Sequence, residues 1–246
     1  MTRPLVRSGT AGWAIPRPVG EMFPGEGTHL QRYARALTCV EINSCFYRPH
    51  AAKTYAKWAA STPADFRFSV KMPKLITHTL KLRDAAEPLA RFLEETAGLG
   101  EKRGPLLVQL PPSLAFAPDL VAPFFDLLRA RYQGDVVCEP RHPSWSGPDG
   151  DADALLAGHR VARVAADPPP FAGADRPGAW PGIIYVRLHG SPQMYWSRYS
   201  VEYIRELADR FTTWDAPEVW CIFDNTAAGA AIENAMELMK FCPVGP

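Results

Sequence analysis

Glu139 and Arg141, two residues apart, and Arg187 and His189, spaced the same way, are the pairs in this chain best suited to chemistry. A carboxylate and an imidazole can pass a proton between them, and guanidinium groups can hold or neutralise developing negative charge. Both pairs close short apolar runs, and similar polar endings recur at Glu41-Ile42-Asn43, Lys71, Gln109, Asp167 and Asp224-Asn225. That recurrence points to a ring of strand ends around one site.

The elements that must position these residues follow from hydrophobic period. Strand-like runs are expected at Leu5–Thr10, Thr38–Asn43, Phe66–Lys71, Pro105–Leu110, Asp135–Glu139, Val161–Asp167, Ile183–His189 and Val219–Asp224. Helical spacing lies between most of them, at Leu30–Leu37, Ala51–Ser61, Ala85–Leu99, Pro118–Tyr132, Asp151–Ala157 and Val201–Phe211, with Ala227–Phe241 after the last. Strands alternating with helices imply parallel pairing through crossover helices. Eight such units in 246 residues favour a single-domain TIM-type (β/α)8 barrel over an open doubly wound sheet. The proline-rich stretch Asp167–Pro181 stands where a helix is expected after strand six, and reads as a rim, a lid or an irregular connection.

In such a barrel, residues that close strands face the ligand. If Lys71, Glu139, Asp167 and Arg187 point inward, alternation sends Phe68, Val70, Val136, Cys138, Val164, Ala166, Val186 and Leu188 outward against the helices. The candidates for proton transfer are Glu139, His189, Asp167 and Glu41. The candidates for substrate binding are Lys71, Arg141, Arg187, Asn43, Gln109, Asn225, Thr226, Trp13, Tyr47 and His78. Any one of them could be an ordinary strand-end residue making a loop hydrogen bond, and Glu139 with Arg187 could be a structural ion pair. Three cations, three carboxylates and a histidine aimed into one small volume would be costly without a use. Past the eighth strand, Asn225 or Thr226 could cap a helix whose small residues, Ala227 to Ala231, leave backbone N–H groups open to an anion.

Composition removes several classes of function. Lys and Arg number 27 against 26 Asp and Glu, so no bulk field draws the chain to an extended nucleic-acid duplex or an anionic membrane. Met1–Arg7 carries no secretory-type apolar stretch and no later run is long enough to span a bilayer, so a cytoplasmic location is expected. The five cysteines form no C-x-x-C pair and read as reduced thiols. Cys45 would be a nucleophile only if a neighbouring cation lowered its pKa.

The leading expectation is an enzyme acting on a small anionic substrate, such as a phosphate ester or carboxylated sugar, with hydrolase, isomerase and lyase chemistry all open. One alternative is a non-catalytic module that binds a nucleotide or a nucleic-acid end through the same basic and aromatic mouth. Another is a divalent-metal-dependent hydrolase or isomerase, although nearby Lys and Arg oppose a bound cation and no residue is assigned as a metal ligand. A glycosidase-like pair of Glu41 and Glu139 fits less well, because their strands are far apart around the ring. No motif names a cofactor or an oligomeric state.

Several stretches together carry a resemblance: Gly9-Thr10-Ala11-Gly12-Trp13, Val40-Glu41-Ile42-Asn43 with Phe46-Tyr47, Phe66 to Lys71 with Thr77-His78, and Leu107 to Pro112. Glu139-x-Arg141-His142-x-x-Trp145, Tyr185-x-Arg187-Leu188-His189-Gly190 and Phe223-Asp224-Asn225-Thr226 complete the set. The chain resembles domain-of-unknown-function family 72, the YecE-like proteins, from Gly9 to about Met239. The resemblance implies a TIM-barrel fold and brings no reaction with it. Asp224 stands where that family more often has a second Asn, and Pro140 where it usually has an aromatic residue.

Overall fold

The structure is a computed structural model that describes residues 4–147 and 150–242. The start of the Met1–Arg7 stretch lies outside the described residues. Ten strands form one mixed sheet: β1 (Leu5–Ala11), β2 (Cys39–Ile42), β3 (Arg67–Lys71), β4 (Arg103–Gln109), β5 (Val136–Glu139), β6 (Val161–Arg163), β7 (Ala165–Asp167), β8 (Gly178–Ala179), β9 (Ile184–Leu188) and β10 (Glu218–Phe223). Their order is β7-β9-β10-β1-β2-β3-β4-β5-β6-β8, and every pairing is parallel except the antiparallel contact of β6 with β8. β6 and β7 are successive pieces of one extended segment. The first pairs with β5 and the second with β9, so the two sides of the sheet meet at Val164 and the barrel is nearly closed.

Among the described residues eight α-helices lie between and after these strands: α1 (His29–Tyr33), α2 (Ser44–Tyr47), α3 (Ala52–Ala60), α4 (Ala86–Thr96), α5 (Pro118–Arg129), α6 (Asp151–Gly158), α7 (Val201–Phe211) and α8 (Ala230–Phe241). Their starts follow local chemistry. Thr28 and Gln31 close a reciprocal capping box on α1, Pro118 opens α5, and the Ser200 side chain accepts the Tyr203 N–H at the head of α7. Several elements escape the expected pattern, among them the short α2, a π-helical turn at Leu75–Thr79 after β3, and 3-10 helical turns at Arg17–Met22 and Pro143–Ser146. A further difference is in the proline-rich stretch, which contributes β8 to the sheet.

Two apolar layers separate cleanly. Phe68, Val70, Val136, Cys138, Val186 and Leu188 pack outward with helical residues such as Phe92, Phe125, Ile204 and Leu238. Each of the Val, Leu, Ile and Phe side chains among them contributes about 1.5–3 kcal/mol when fully buried. Inside the barrel, Cys39, Leu107, Val137, Ala162, Tyr185, Trp220 and Ile222 form a largely apolar plug. The polar strand-end residues stand above this plug at the carboxyl ends.

Strand six runs in the opposite phase to expectation. Val164 belongs to the interior plug, while Ala165 aligns with outward-facing Val186 and Asp167 with outward-facing Leu188. Asp167 therefore faces the helical coat. At the other side of the barrel, β1 and β2 lie very close, because a Cβ on Gly9 would overlap the Cys39 carbonyl. The Tyr33 hydroxyl ties them to α1, accepting the Thr10 N–H at 2.8 Å and donating to the Cys39 carbonyl at 3.1 Å.

Candidate functional site

The alternation of β2, β5 and β9 brings Glu41, Glu139 and Arg187 together at the barrel centre. Arg187 donates from Nε to Glu41 Oε2 at 2.9 Å and from Nη2 to Glu41 Oε1 at 2.8 Å. Its Nη1 donates to Glu139 Oε2 at 2.6 Å, and Nη2 also reaches Asp224 Oδ2 at 3.2 Å. Tyr185, two residues earlier on the same face, donates to Glu41 Oε2 at 2.9 Å and meets Ser69 Oγ at 2.6 Å. Arg187 and Glu41 are both 0% exposed. Burial of this kind is tolerable because each charge is paired and hydrogen-bonded.

A second tier lies around Glu139 and His189. Glu139 Oε1 accepts from Arg141 Nη2 at 2.6 Å, and Glu139 Oε2 accepts from Gln109 Nε2 at 3.0 Å. His189 places Nδ1 3.0 Å from Asp224 Oδ2, and Nε2 3.0 Å from Glu139 Oε1 and 2.9 Å from Arg141 Nη2. Asp224 can only accept, so it assigns Nδ1 as the protonated nitrogen. Nε2 then has a partner in either state. Neutral, it accepts from Arg141; protonated, it donates to Glu139.

The electrostatics match this geometry. Burial would raise the Glu139 carboxyl, but Arg187, Arg141 and His189 hold it well below the ordinary carboxylate value. At Asp224, burial is likewise outweighed by Arg187 and by the His189 hydrogen bond, which lower it. Lys71 moves down from the usual lysine value through burial, reinforced by Arg187 and opposed by Glu41, Glu139 and Asp224.

Lys71 is only 9% exposed, and among the described residues its ammonium forms no hydrogen bond or ion pair; it sits 4.3 Å from the centre of the Phe46 ring. Arg141 Nε and Asn43 Oδ1 are buried and, among the described residues, also have no hydrogen-bond partner. His78 borders the same region: its ring is 5.0 Å from Phe46, its Nδ1 is 2.8 Å from Thr77 Oγ1, and burial with Lys71, Lys74 and Arg141 lowers its pKa. Tyr47, 80% exposed, stands edge-on to Phe46 at the rim.

Other candidates lie apart from this cluster. Asp167 accepts from the Tyr199 hydroxyl at 2.7 Å on the outer side of the sheet, because its register partner there is Leu188. Asn225 donates from Nδ2 to the Ser197 carbonyl at 2.9 Å and to Asn234 Oδ1 at 3.0 Å. The expected helix cap at Asn225 or Thr226 is displaced. α8 starts at Ala230 behind Gly229, which has φ +82°, and the Ala231 N–H is taken by the Asn225 carbonyl. Thr226 is exposed in the preceding turn. Trp13 packs edge-on against Trp58 of α3, with ring centres 4.9 Å apart. Cys45 donates to the carbonyls of Ile42 and Lys71, and burial pushes its thiol up to about 12, so it is not a primed nucleophile.

Three participants have no assigned role in the sequence reading of the site: Asp224, which stands there only as a polar strand end, Tyr185 and Ser69. The signal for each is alternation, since Trp220 and Ile222 put Asp224 inward, Arg187 puts Tyr185 inward and Lys71 puts Ser69 inward. Among the described residues no group of three or more His, Cys, Asp or Glu is arranged to hold a metal ion. No helix there is long and apolar enough to cross a membrane.

A family model described as "Protein of unknown function DUF72" matches residues 7–243. The UPF0759 protein YecE of Escherichia coli K12 is 33% identical over 153 residues, covering 60% of this chain and 55% of the relative. Its counterpart in strain O157:H7 is 32% identical over 134 residues, 53% of this chain and 48% of that protein. The matched region thus spans about half the length of these curated relatives. A DUF72 family protein from Thermotoga maritima MSB8 superposes with a TM-score of 0.79 at 25% identity, over 97% of this chain and 99% of that one. One from Enterococcus faecalis V583 gives a TM-score of 0.81 at 21% identity, over 98% and 97%. A methyltransferase from Methanosarcina mazei shares the fold alone, with a TM-score of 0.53 at 11% identity over 97% and 93%.

Proposed function

We propose, for a chain that belongs to the DUF72 family, that the carboxyl end of the barrel is an active site for a small anionic substrate such as a phosphate ester or carboxylated sugar. In this reading the fold is a (β/α)8 barrel whose sixth strand is broken at Val164. The observation that carries the proposal is the pair of cationic donors left without acceptors, Lys71 Nζ and Arg141 Nε, beside the Glu139–His189–Asp224 chain. Buried donors of this kind are costly unless a ligand completes them.

Roles divide by exposure and partners. Lys71 and Arg141, with His78, Gln109 and Asn43 nearby, bind and neutralise the anion. His189 takes or gives a proton at Nε2, held in one tautomer by Asp224, while Glu139 stabilises the charged imidazolium. Arg187 and Glu41 act through the others, as positioning residues that fix Glu139 and Asp224 from below. Asp167 and Thr226 have no part in binding or proton transfer in this arrangement.

The test is a panel of phosphate esters and sugar acids screened by thermal shift and turnover against the wild type, Lys71→Met and His189→Gln. The proposal expects saturable binding that Lys71→Met removes, and turnover that His189→Gln removes while binding persists. Absence of binding across the panel, or binding and turnover untouched in both variants, would overturn it.

A further inference from the structure

Trp13 closes a motif the sequence singles out, yet its ring is turned away from the polar cluster toward α3. It helps line a pocket of about 720 Å³ between α1 and α3, whose walls share no residue with the polar cluster described above. Trp13 and Trp58 meet there at 73° and form an aromatic corner, each ring half-buried. His50 adds a third ring behind it, 5.1 Å from Trp58.

The polar lining has one sign. Lys53 and Lys57 lie one helical turn apart on the face of α3 that carries Trp58, and His29 faces them from α1. The rest of the lining is Thr, Ser, Gln and Leu, with no carboxylate. Neither lysine ammonium forms a hydrogen bond or ion pair among the described residues. In a chain with net charge of only +1, this is a local concentration of unneutralised cations beside an open aromatic surface. An aromatic corner offers a face for stacking, and free ammonium groups offer partners for an anion.

We propose that this pocket is a second binding site, for an anion borne on a flat aromatic or heteroaromatic ring. The ring packs against Trp13 and Trp58, and Lys53 and Lys57 hold the anionic group. The site needs no contribution from Lys71 or His189, so it stands or falls separately from the active-site reading.

The test uses the Lys71→Met protein, which lacks one of the two proposed anion donors of the barrel mouth, titrated with phenyl phosphate, inorganic phosphate and phenol while tryptophan fluorescence is followed. The expected result is saturable quenching by phenyl phosphate, about tenfold tighter than by inorganic phosphate or phenol, as a base-like stacking contribution implies. Lys53→Ala/Lys57→Ala, changes at exposed positions, is expected to weaken phenyl phosphate about tenfold. Trp58→Leu is expected to remove its advantage over inorganic phosphate, with calorimetry replacing fluorescence for that variant. Equal affinity for phenyl phosphate and inorganic phosphate, no saturable binding in the millimolar range, or a double-lysine variant that binds like its parent would each overturn the proposal.

Discussion

Arg187 and Glu41 form a two-point ion pair across the barrel interior, Nε to Oε2 at 2.9 Å and Nη2 to Oε1 at 2.8 Å, with neither side chain exposed. The same guanidinium also holds Glu139 and Asp224, so one side chain organises three carboxylates. Removing it would strand buried negative charge. Arg187→Ala is expected to destabilise the fold by about 3–5 kcal/mol, read from urea midpoints, and Glu41→Ala/Arg187→Ala to cost less than the sum of the single changes. Additive costs would show that the pair does not couple.

Acid stability should follow Glu139 and Asp224. Both carboxyls are lowered in the fold, so they bind fewer protons folded than unfolded as pH falls through the ordinary carboxylate range. Their contribution is complete above the ordinary values of 4.5 and 3.8 and is lost as pH drops through the lower folded values. Glu139→Gln should therefore flatten the fall in unfolding free energy between neutral pH and strong acid. A wild-type slope retained in the variant would contradict this assignment.

At alkaline pH, Lys71 should act with two opposite signs. Its folded value lies below the ordinary 10.5, so between the two the unfolded chain holds more protons and stability rises with pH. Over the folded titration the ammonium is lost, and under the proposed role of Lys71 anion affinity is expected to fall with it. Binding titrations across the alkaline range should show that loss beginning below pH 10.5, and Lys71→Met should abolish both trends.

Gly9 marks the closest approach of β1 to β2. A Cβ there would overlap the carbonyl of Cys39, which is backbone and cannot swing aside. Gly9→Ala is expected to cost about 1–3 kcal/mol, measured by thermal or chemical unfolding, with the strands forced apart. A neutral substitution would mean that the barrel has slack at this seam.

Much of the interior was legible in the sequence because alternation along a strand is a property of the local backbone. Once Val70 and Phe68 are outward, Lys71 and Ser69 must face in, and the same step places Glu139 and Arg187. Strand six shows the limit. Ala165 and Ala166 are both small and apolar, so composition could not choose the phase, and the pairing of Asp167 with Leu188 on β9 decided it. The start of α8 was similarly open, since Asn225 and Thr226 can both cap, until the Asn225 carbonyl took the Ala231 N–H and Gly229 turned the chain.

Residue type and period by themselves located the strands other than β8 and the break between β6 and β7, the charged face of most of them, and the gathering of charge at the carboxyl ends. Only the tertiary structure decided who pairs with whom. Arg187 meets Glu41 across the barrel rather than a sequence neighbour, Lys71 and Arg141 Nε are left open, and Trp13 turns toward α3. Face preference is set residue by residue along one strand. Register, ion-pair partners and unfilled donors depend on the closure of the whole sheet, where distant strands compete for the same buried volume.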